Sequence, residues 1–297
     1  MKKGYRTVLF ILIEAVLYAV FIVLDQTDGY EFTVAALKYI SIHVCVAMAL
    51  VNAVMTAKTS ENGCVNTGPG TAGLKSAVLG AAALCFTAVS DWFLLFADDI
   101  RPGVVFFCIV QTIYMIVILG GEIRKTCIVF AARAVSAAVL FLLLKGSFPE
   151  EKLLLGTVIF YAVSFIANIA HLVADIILSK KNPHLTEDID RYENIPHHAE
   201  EMNQSIKMAH HPETAAVRTT SASCLFLRPV VFLVGMILFL LCDINVLLYN
   251  LGDYVSIDAP LYNSLSAAAP YLIWVFYLPS QVLIVLSNLR RQNDRKN

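Results

Sequence analysis

Long apolar runs separated by shorter polar stretches follow one another along the whole chain. A helix needs about 20 mostly apolar residues to cross a hydrocarbon layer roughly 30 Å thick. Eight runs approach or exceed that length, over residues 5–25, 32–56, 73–97, 103–120, 126–144, 152–179, 225–250 and 266–288. The pattern predicts an all-α fold, a polytopic membrane helix bundle of eight transmembrane helices that forms a single domain over residues 1–297.

The only long polar connection spans residues 180–224, between the sixth and seventh runs. It is interrupted by prolines and carries acidic residues together with His184, His197, His198, His210 and His211. This composition predicts a solvated loop with one short amphipathic helix near residues 199–209. Metal binding by the paired histidines is the alternative, although their spacing matches no known structural zinc site.

Composition supports a membrane protein and excludes several other classes. Hydrophobic residues make up 58% of the chain and charged residues 15%, against about 25% charged in an average soluble domain, and the mean hydropathy is +0.69. The net charge of −1 provides no basic surplus for phosphate contacts, so we expect no nucleic-acid partner. The 7 cysteines include no CxxC pair, so we expect neither a disulfide framework nor a cysteine metal site.

The distribution of basic residues predicts the orientation of the bundle. Eight crossings place both termini on one side, and of the 22 Lys and Arg residues only Arg101, Lys145 and Lys152 fall in the loops of the opposite side. Because basic residues accumulate in cytoplasmic loops, both termini are predicted to be cytoplasmic. We expect an integral multi-pass protein of the cell membrane.

Ionisable residues within the predicted spans are the first candidates for function, because each costs about 2.5 to 3.5 kcal/mol at mid-helix on insertion scales. Glu14 and Arg133 are predicted near mid-membrane, where we expect them to neutralise each other. The full set is Glu14, Lys38, His43, Asp91, Arg133, His171, Asp175 and Asp243.

Four polar residues in these spans are predicted to lie at a similar depth in the membrane. Counting about 1.5 Å per residue from the predicted outer ends, Lys38, Asp91, Asp243 and Gln111 lie roughly 9 to 12 Å below the outer surface. Asp91 and Asp243 are on helices that run in the same direction, as a paired acid and base would require. The alternative is that each aspartate only joins neighbouring helices by hydrogen bonds.

His171 and Asp175 are four residues apart on the sixth predicted helix, so both face the same side. Such a pair can ligate a metal, but His43 is the only other histidine inside a span. We therefore favour a local His–Asp pair and expect no metal and no organic cofactor.

Four segments resemble the YhhN family of membrane proteins, whose known activity is lysoplasmalogenase. They are Leu37-Lys38-Tyr39 in the second helix and residues 88–95, 239–247 and 277–284 in the third, seventh and last helices. Two features depart from the family pattern. Gln111 stands where the family usually has a histidine between Phe107 and Tyr114, and the 180–224 loop is longer than expected.

The resemblance implies hydrolysis of the vinyl-ether bond of a lysoplasmalogen or a related ether lysolipid, without a cofactor. This chemistry asks for one protonated and one ionised carboxyl group, roles that Asp91 and Asp243 would divide. The lysophospholipid would enter from the lipid bilayer with its phosphate near Lys38. The expected positioning residues are Gln111, Tyr114, Asn245, Tyr277 and Gln281.

A second hypothesis belongs to another functional class. A non-catalytic transporter or sensor that binds a lipid or an ion would keep the same fold, and Gln111 at the family's histidine position favours it. The sequence leaves the oligomeric state, the head-group preference and the identity of the acid open.

Overall fold

The computed structural model describes residues 3–27, 29–61, 70–97, 99–146, 152–181, 214–253 and 259–288. These residues form eight α-helices and one short 3-10 turn, Leu251–Asp253, and contain no strand. The helices are α1 (Lys3–Leu24), α2 (Glu31–Glu61), α3 (Gly70–Leu95), α4 (Ile100–Ile118), α5 (Ile123–Leu144), α6 (Lys152–Lys181), α7 (Thr214–Asn250) and α8 (Pro260–Ser287).

Eight of the described helices are long and apolar enough to cross a membrane, which confirms the predicted fold class. The chain is thus a multi-pass membrane protein. Several helices are longer than the apolar runs that predicted them, because a helix continues into polar flanks where its side chains reach water. The side of the membrane that the termini face stays a prediction.

The helices on either side of the long polar connection extend beyond their predicted ends. Helix α6 continues to Lys181 and α7 begins at Thr214, so residues 214–224 are helical. The remaining residues 182–213, with the predicted helix near 199–209 and the five loop histidines, lie outside the described residues.

Helix ends follow local sequence signals. Asp99 precedes α4, and its side chain accepts a hydrogen bond of 3.1 Å from the backbone N–H of Arg101, which caps the helix. Gly120 and Gly121 follow α4 with φ angles of 67° and 73°, a left-handed conformation that glycine adopts without strain. These signals place the α4–α5 turn between residues 118 and 123.

The helices pack mainly against their neighbours in sequence, and α7 and α8 are the most closely packed pair. Gly235 of α7 allows this approach, because a Cβ atom there would lie 3.0 Å from Ile284 Cγ1 and 3.2 Å from the Ser280 carbonyl oxygen. Helix α5 packs on α6 and, to a small extent, on α4. Most of its remaining surface is exposed and apolar, as expected of a helix that faces lipid.

The central core lies between α3, α4, α6, α7 and α8. It is built around large buried side chains, of which Phe107, Tyr114, Phe165, Phe239 and Tyr277 are the aromatic ones nearest its centre. We call the end of the bundle where α3, α5 and α7 end and α4, α6 and α8 begin the short-loop end. Asp91 and Asp243 both lie toward this end.

The expected pairing of Glu14 with Arg133 is wrong. The Glu14 carboxylate on α1 accepts hydrogen bonds from Ser41 Oγ and, at 3.4 Å, from Cys45 Sγ on α2. Arg133 lies on α5, is 4% exposed, and its guanidinium forms no hydrogen bond with any described residue. The two residues are on helices packed against different neighbours, which sequence position alone does not indicate.

Candidate functional site

Asp91 is held in the core by a tyrosine of the last helix. The Tyr277 hydroxyl on α8 donates a hydrogen bond of 2.5 Å to Asp91 Oδ2, and both side chains are buried. On the preceding residue, Ser90 Oγ donates to the Gly103 carbonyl oxygen of α4 at 2.7 Å. Asp91 is therefore fixed by its own hydrogen bond and by the attachment of its helix to α4.

Asp243 has an equivalent partner on a different helix. The Tyr161 hydroxyl on α6 donates a hydrogen bond of 2.6 Å to Asp243 Oδ2. The bond joins α7 to α6 in the same way that the Tyr277 bond joins α8 to α3. The two predicted aspartates thus form two Tyr–Asp pairs, each linking two helices.

One aromatic cluster connects the two pairs. The Phe239 ring packs edge-on against Tyr277 with centroids 5.7 Å apart and against Phe165 at 5.4 Å. Tyr161 packs on Phe165 at 5.6 Å and on Phe107 at 5.9 Å. The rings that carry the two hydroxyl groups consequently lie on one continuous apolar surface, which restricts the access of water to both carboxyl groups.

Gln111 lies in the same core and is oriented by α6. Asn168 Nδ2 donates hydrogen bonds to the Gln111 backbone oxygen at 3.0 Å and to its side-chain oxygen at 2.9 Å. Both residues are fully buried. The two bonds from Asn168 therefore fix the orientation of the Gln111 side chain in the core.

Several buried polar atoms in this region have no hydrogen-bond partner among the described residues. They include Gln111 Nε2, the Tyr114 hydroxyl and Gln281 Oε1. Buried polar groups in native proteins are normally paired with protein or with ordered water. Donors and acceptors left open beside two carboxyl groups are what a polar substrate group and a water molecule would require.

Lys38 is in a separate cluster beside the Asp91 pair. Its Nζ forms an ion pair of 2.9 Å with Asp25 and lies 4.7 Å from the centroid of the Trp274 ring. Trp274 in turn packs edge-on against Tyr277 at 5.4 Å. The predicted substrate-binding lysine is therefore connected to the Asp91 pair through Trp274, and it forms an ion pair with Asp25.

Asn245 is not joined to the other predicted site residues. Its Nδ2 donates to the Leu241 carbonyl oxygen on its own helix at 2.7 Å. His171 and Asp175 are part-exposed and exposed on α6. Within the described ranges, no three His, Cys, Asp or Glu side chains are grouped closely enough to hold a metal ion.

The four residues predicted to share one depth are not equally far from their helix ends. At about 1.5 Å per residue, Asp91 lies roughly 6 Å from the end of α3 and Asp243 roughly 10 Å from the end of α7. Lys38 is about 10 Å from the start of α2, and Gln111 about 16 Å from the start of α4. Gln111 is deeper because α4 begins at Ile100, before the apolar run that predicted it.

Sequence reasoning missed three contributors to this site. Tyr161 and Asn168 hold Asp243 and Gln111, and Asp25 holds Lys38. Tyr161, Phe165 and Asn168 are spaced four and three residues apart, which places them on one face of a helix. This spacing could have indicated a polar and aromatic face on the sixth helix. Aromatic residues are common in membrane helices, so the spacing did not stand out in the sequence.

Comparison with known proteins adds a family match. The model of the YhhN family matches residues 64–183, a range that includes Asp91, Gln111, Tyr114 and Tyr161. The resemblance to the YhhN family is thus confirmed over these residues. No curated protein and no solved structure matches the chain.

Proposed function

We propose that this multi-pass membrane protein, which matches the YhhN family over residues 64–183, is an intramembrane hydrolase of ether lysolipids in the cell membrane. Its substrate would be the vinyl-ether bond of a lysoplasmalogen or a related lysolipid. The observation that supports this best is the pair of aspartates, Asp91 buried and Asp243 part-buried, each bonded to a tyrosine on the edge of one aromatic cluster. No organic cofactor is part of the proposal.

The reaction needs one proton donor and one proton acceptor. One carboxyl group gives its proton to the β-carbon of the vinyl ether, whose π electrons form the new C–H bond, and an oxocarbenium ion results. Water attacks the α-carbon and loses a proton to the second carboxylate. The hemiacetal then gives its hydroxyl proton to the first carboxylate while the second carboxyl returns its proton to the departing alkoxide. The products are a fatty aldehyde and a glycerophospho-alcohol, one water molecule is consumed, and both carboxyl groups are restored.

The surroundings of the aspartates suit these two roles. A buried apolar site favours the neutral form of a carboxylic acid, and a tyrosine donor favours the ionised form. Both influences act on each aspartate, so small differences between the two sites decide which one carries the proton. The open donors and acceptors on Gln111, Tyr114 and Gln281 are proposed to orient the ether oxygen and the attacking water.

Lys38 is proposed to bind the substrate phosphate. In the structure it is paired with Asp25, so a phosphate that reached it would replace Asp25 as its partner. The Trp274 ring beside Lys38 packs on Tyr277. A phosphate bound at Lys38 would therefore lie next to the Asp91 pair.

Aldehyde release from a lysoplasmalogen by purified protein in lipid nanodiscs tests the proposal. Asp91→Asn and Asp243→Asn should each reduce it by about 10²- to 10⁴-fold, the usual contribution of a general acid or base. Asparagine has nearly the same volume, so thermal stability should stay close to wild type. The double variant should be little worse than either single one, because groups that act together are not additive.

Two results would contradict the mechanism. If the aspartate variants lose stability and activity falls only in proportion to folded protein, the aspartates are structural. If a chelator abolishes aldehyde release and a divalent ion restores it, the reaction depends on a metal and not on the carboxyl pair alone.

A non-catalytic lipid- or ion-binding transporter or sensor is the second candidate. Gln111 favours it, because an amide held by Asn168 cannot exchange a proton as the family's histidine can. If this candidate is right, wild-type protein releases no aldehyde although it binds a lysolipid. Gln111→His would then be the variant in which to seek an activity.

A further inference from the structure

A groove of about 390 Å³ opens on the lipid-facing side of the bundle, between α4, α5 and α6. Its volume is within the range of about 300 to 1,000 Å³ usual for small-molecule sites. Most of its described lining is apolar, with Phe141 of α5 and Phe160 of α6 as the largest side chains. Lys152, the first residue of α6, contributes a basic group at the short-loop end.

Gly156 keeps the groove open where α5 and α6 face each other. A Cβ atom at this position would lie 3.7 Å from Phe141 Cδ2, which is ordinary contact, so alanine fits there. A longer side chain at Gly156 would extend into the space beside Phe141. The groove is therefore sensitive to the size of one residue.

The inner wall of the groove adjoins the aromatic cluster of the candidate site. Phe160 precedes Tyr161, the partner of Asp243, and Cys108 follows Phe107, whose ring packs on Tyr161. Cys108 Sγ contacts the Thr157 carbonyl oxygen at 3.5 Å. Two residues that line the groove are thus direct chain neighbours of Phe107 and Tyr161 in the aromatic cluster.

Distance along α6 fits a lysolipid with its phosphate at the short-loop end. Tyr161 is nine residues beyond Lys152, or about 13 Å along the helix. In a lysoplasmalogen a glycerol backbone separates the phosphate from the vinyl ether, so a phosphate at Lys152 would place the start of the hydrocarbon chain on this stretch, beside Phe141. The hydrocarbon chain would then continue along Phe160 and deeper into the bilayer.

We propose that this groove between α4, α5 and α6 is the lateral binding site of the lysolipid, with Lys152 on the phosphate and the hydrocarbon chain against Phe141 and Phe160. The inference deepens the proposed function and rests on it for the identity of the lipid. It places entry on the α5 side of the bundle. Lys38, which lies beside Trp274, would receive the phosphate only after the lysolipid has left the groove.

Photolabelling in nanodiscs of diacyl phospholipid tests the site without any need for turnover. The probe is an alkyl-ether lysophospholipid with a diazirine in its chain, which cannot be hydrolysed as a vinyl ether. Labels should map to residues 105–108 of α4, 141–144 of α5 or 153–160 of α6. Labelling confined to other helices, or equal labelling all around the bundle, would overturn the proposal.

Two variants at Gly156 separate groove filling from general damage. Gly156→Leu should reduce labelling and lysolipid affinity by about tenfold or more, since the leucine side chain would fill the space beside Phe141 that the hydrocarbon chain needs, whereas Gly156→Ala should label as wild type does. Ala170→Leu, at an exposed position on the same helix, is the matched control. If Gly156→Leu folds and labels normally, the groove is not the binding site.

Charge provides an independent comparison. Lys152→Gln should weaken binding of the phosphate-bearing probe by about two- to fivefold, the effect of a solvent-accessible ion pair, and should not affect a monoalkyl glycerol without phosphate. Lys152→Arg should restore the affinity. Equal effects on both lipids would exclude a phosphate contact. If the protein binds the probe here but never releases aldehyde, the hydrolase proposal fails and the groove stands.

Discussion

The hydroxyl groups of Tyr161 and Tyr277 are the smallest parts of the molecule on which the candidate site depends. Each is the described hydrogen-bond donor to one aspartate, while the rings below them belong to the core packing. Phenylalanine keeps the ring and removes only the donor. The two functions of these tyrosines, packing and donation, are therefore separable by one substitution at each position.

Tyr161→Phe and Tyr277→Phe should each lower aldehyde release by about tenfold or more, because a hydrogen bond to a charged group contributes about 1.5 to 3 kcal/mol. The measurement is initial rate against lysoplasmalogen concentration in nanodiscs. Tyr271→Phe, at a half-exposed position of α8, is the matched control and should behave as wild type. Full activity in both site variants would show that the aspartates need no tyrosine donor.

Replacement of Arg133 is predicted to improve a property of the protein, its thermal stability, whereas the tyrosine substitutions are predicted to lower activity. Its buried guanidinium has no hydrogen-bond or ion-pair partner among the described residues, and burial of an unpaired charge is unfavourable. Arg133→Met keeps an unbranched chain without the charge and should stabilise the protein by about 1 to 3 kcal/mol. The measurement is the thermal unfolding midpoint in detergent.

The control for this prediction is Arg124→Met, at an exposed position of the same helix, where the midpoint should hardly change. A lower midpoint for Arg133→Met alone would contradict the prediction. It would mean that the guanidinium is paired in solution, for example with a bound anion.

Among the helices, the contact between α7 and α8 depends most visibly on a single small residue. A Cβ atom at Gly235 would lie 3.3 Å from the Ile284 backbone nitrogen and 3.2 Å from the Ser280 oxygen. Backbone atoms cannot move aside as a side chain can. The two helices must therefore separate to admit any other residue.

Gly235→Ala should destabilise the protein by about 1 to 3 kcal/mol and should lower activity further, because α7 carries Asp243 and α8 carries Tyr277. Unfolding midpoints and aldehyde release from the same preparation check both effects. Gly4→Ala is the control, since nothing lies within 4 Å of a Cβ atom there. An unchanged midpoint for Gly235→Ala would show that the contact is looser than the structure indicates.

The helices themselves were predictable from sequence because hydrocarbon imposes a minimum apolar length on every span. Their ends were less so. The apolar run of residues 266–288 marks where α8 meets lipid, but the helix begins at Pro260, since proline is well suited to a first helical turn. Hydropathy indicates which part of a helix lies in lipid, whereas the ends of the helix are set by its backbone hydrogen bonds.

The candidate site was predictable only in part. Asp91 and Asp243 stand out because carboxyl groups are rare and costly inside a membrane. Their partners do not, since a tyrosine in a membrane helix needs no special explanation. Which helix lies opposite which is decided by packing over the entire bundle, so the Tyr161 bond to Asp243 and the isolation of Arg133 both required the three-dimensional structure.

For the molecule as a whole, the sequence predicts that both termini are cytoplasmic. In a cysteine-free background, Lys145→Cys at the short-loop end should react with a membrane-impermeant thiol reagent in intact cells. Glu122→Cys, in the turn after α4, should react only after the membrane is opened. Both positions are exposed, so reactivity reports the side of the membrane. The reverse pattern would place the termini outside.

The pairing of Asp91 with Tyr277 also determines when the site can exist during biosynthesis. Asp91 enters the membrane with the third helix, whereas its tyrosine arrives with the eighth, 186 residues later. Chains are made from the N-terminus and their helices associate after insertion. A nascent chain that has inserted seven helices already contains both aspartates but only one of the two Tyr–Asp pairs. The candidate site is thus complete only after the last helix has inserted, and unfinished chains in the membrane would lack the proposed activity toward its lipids.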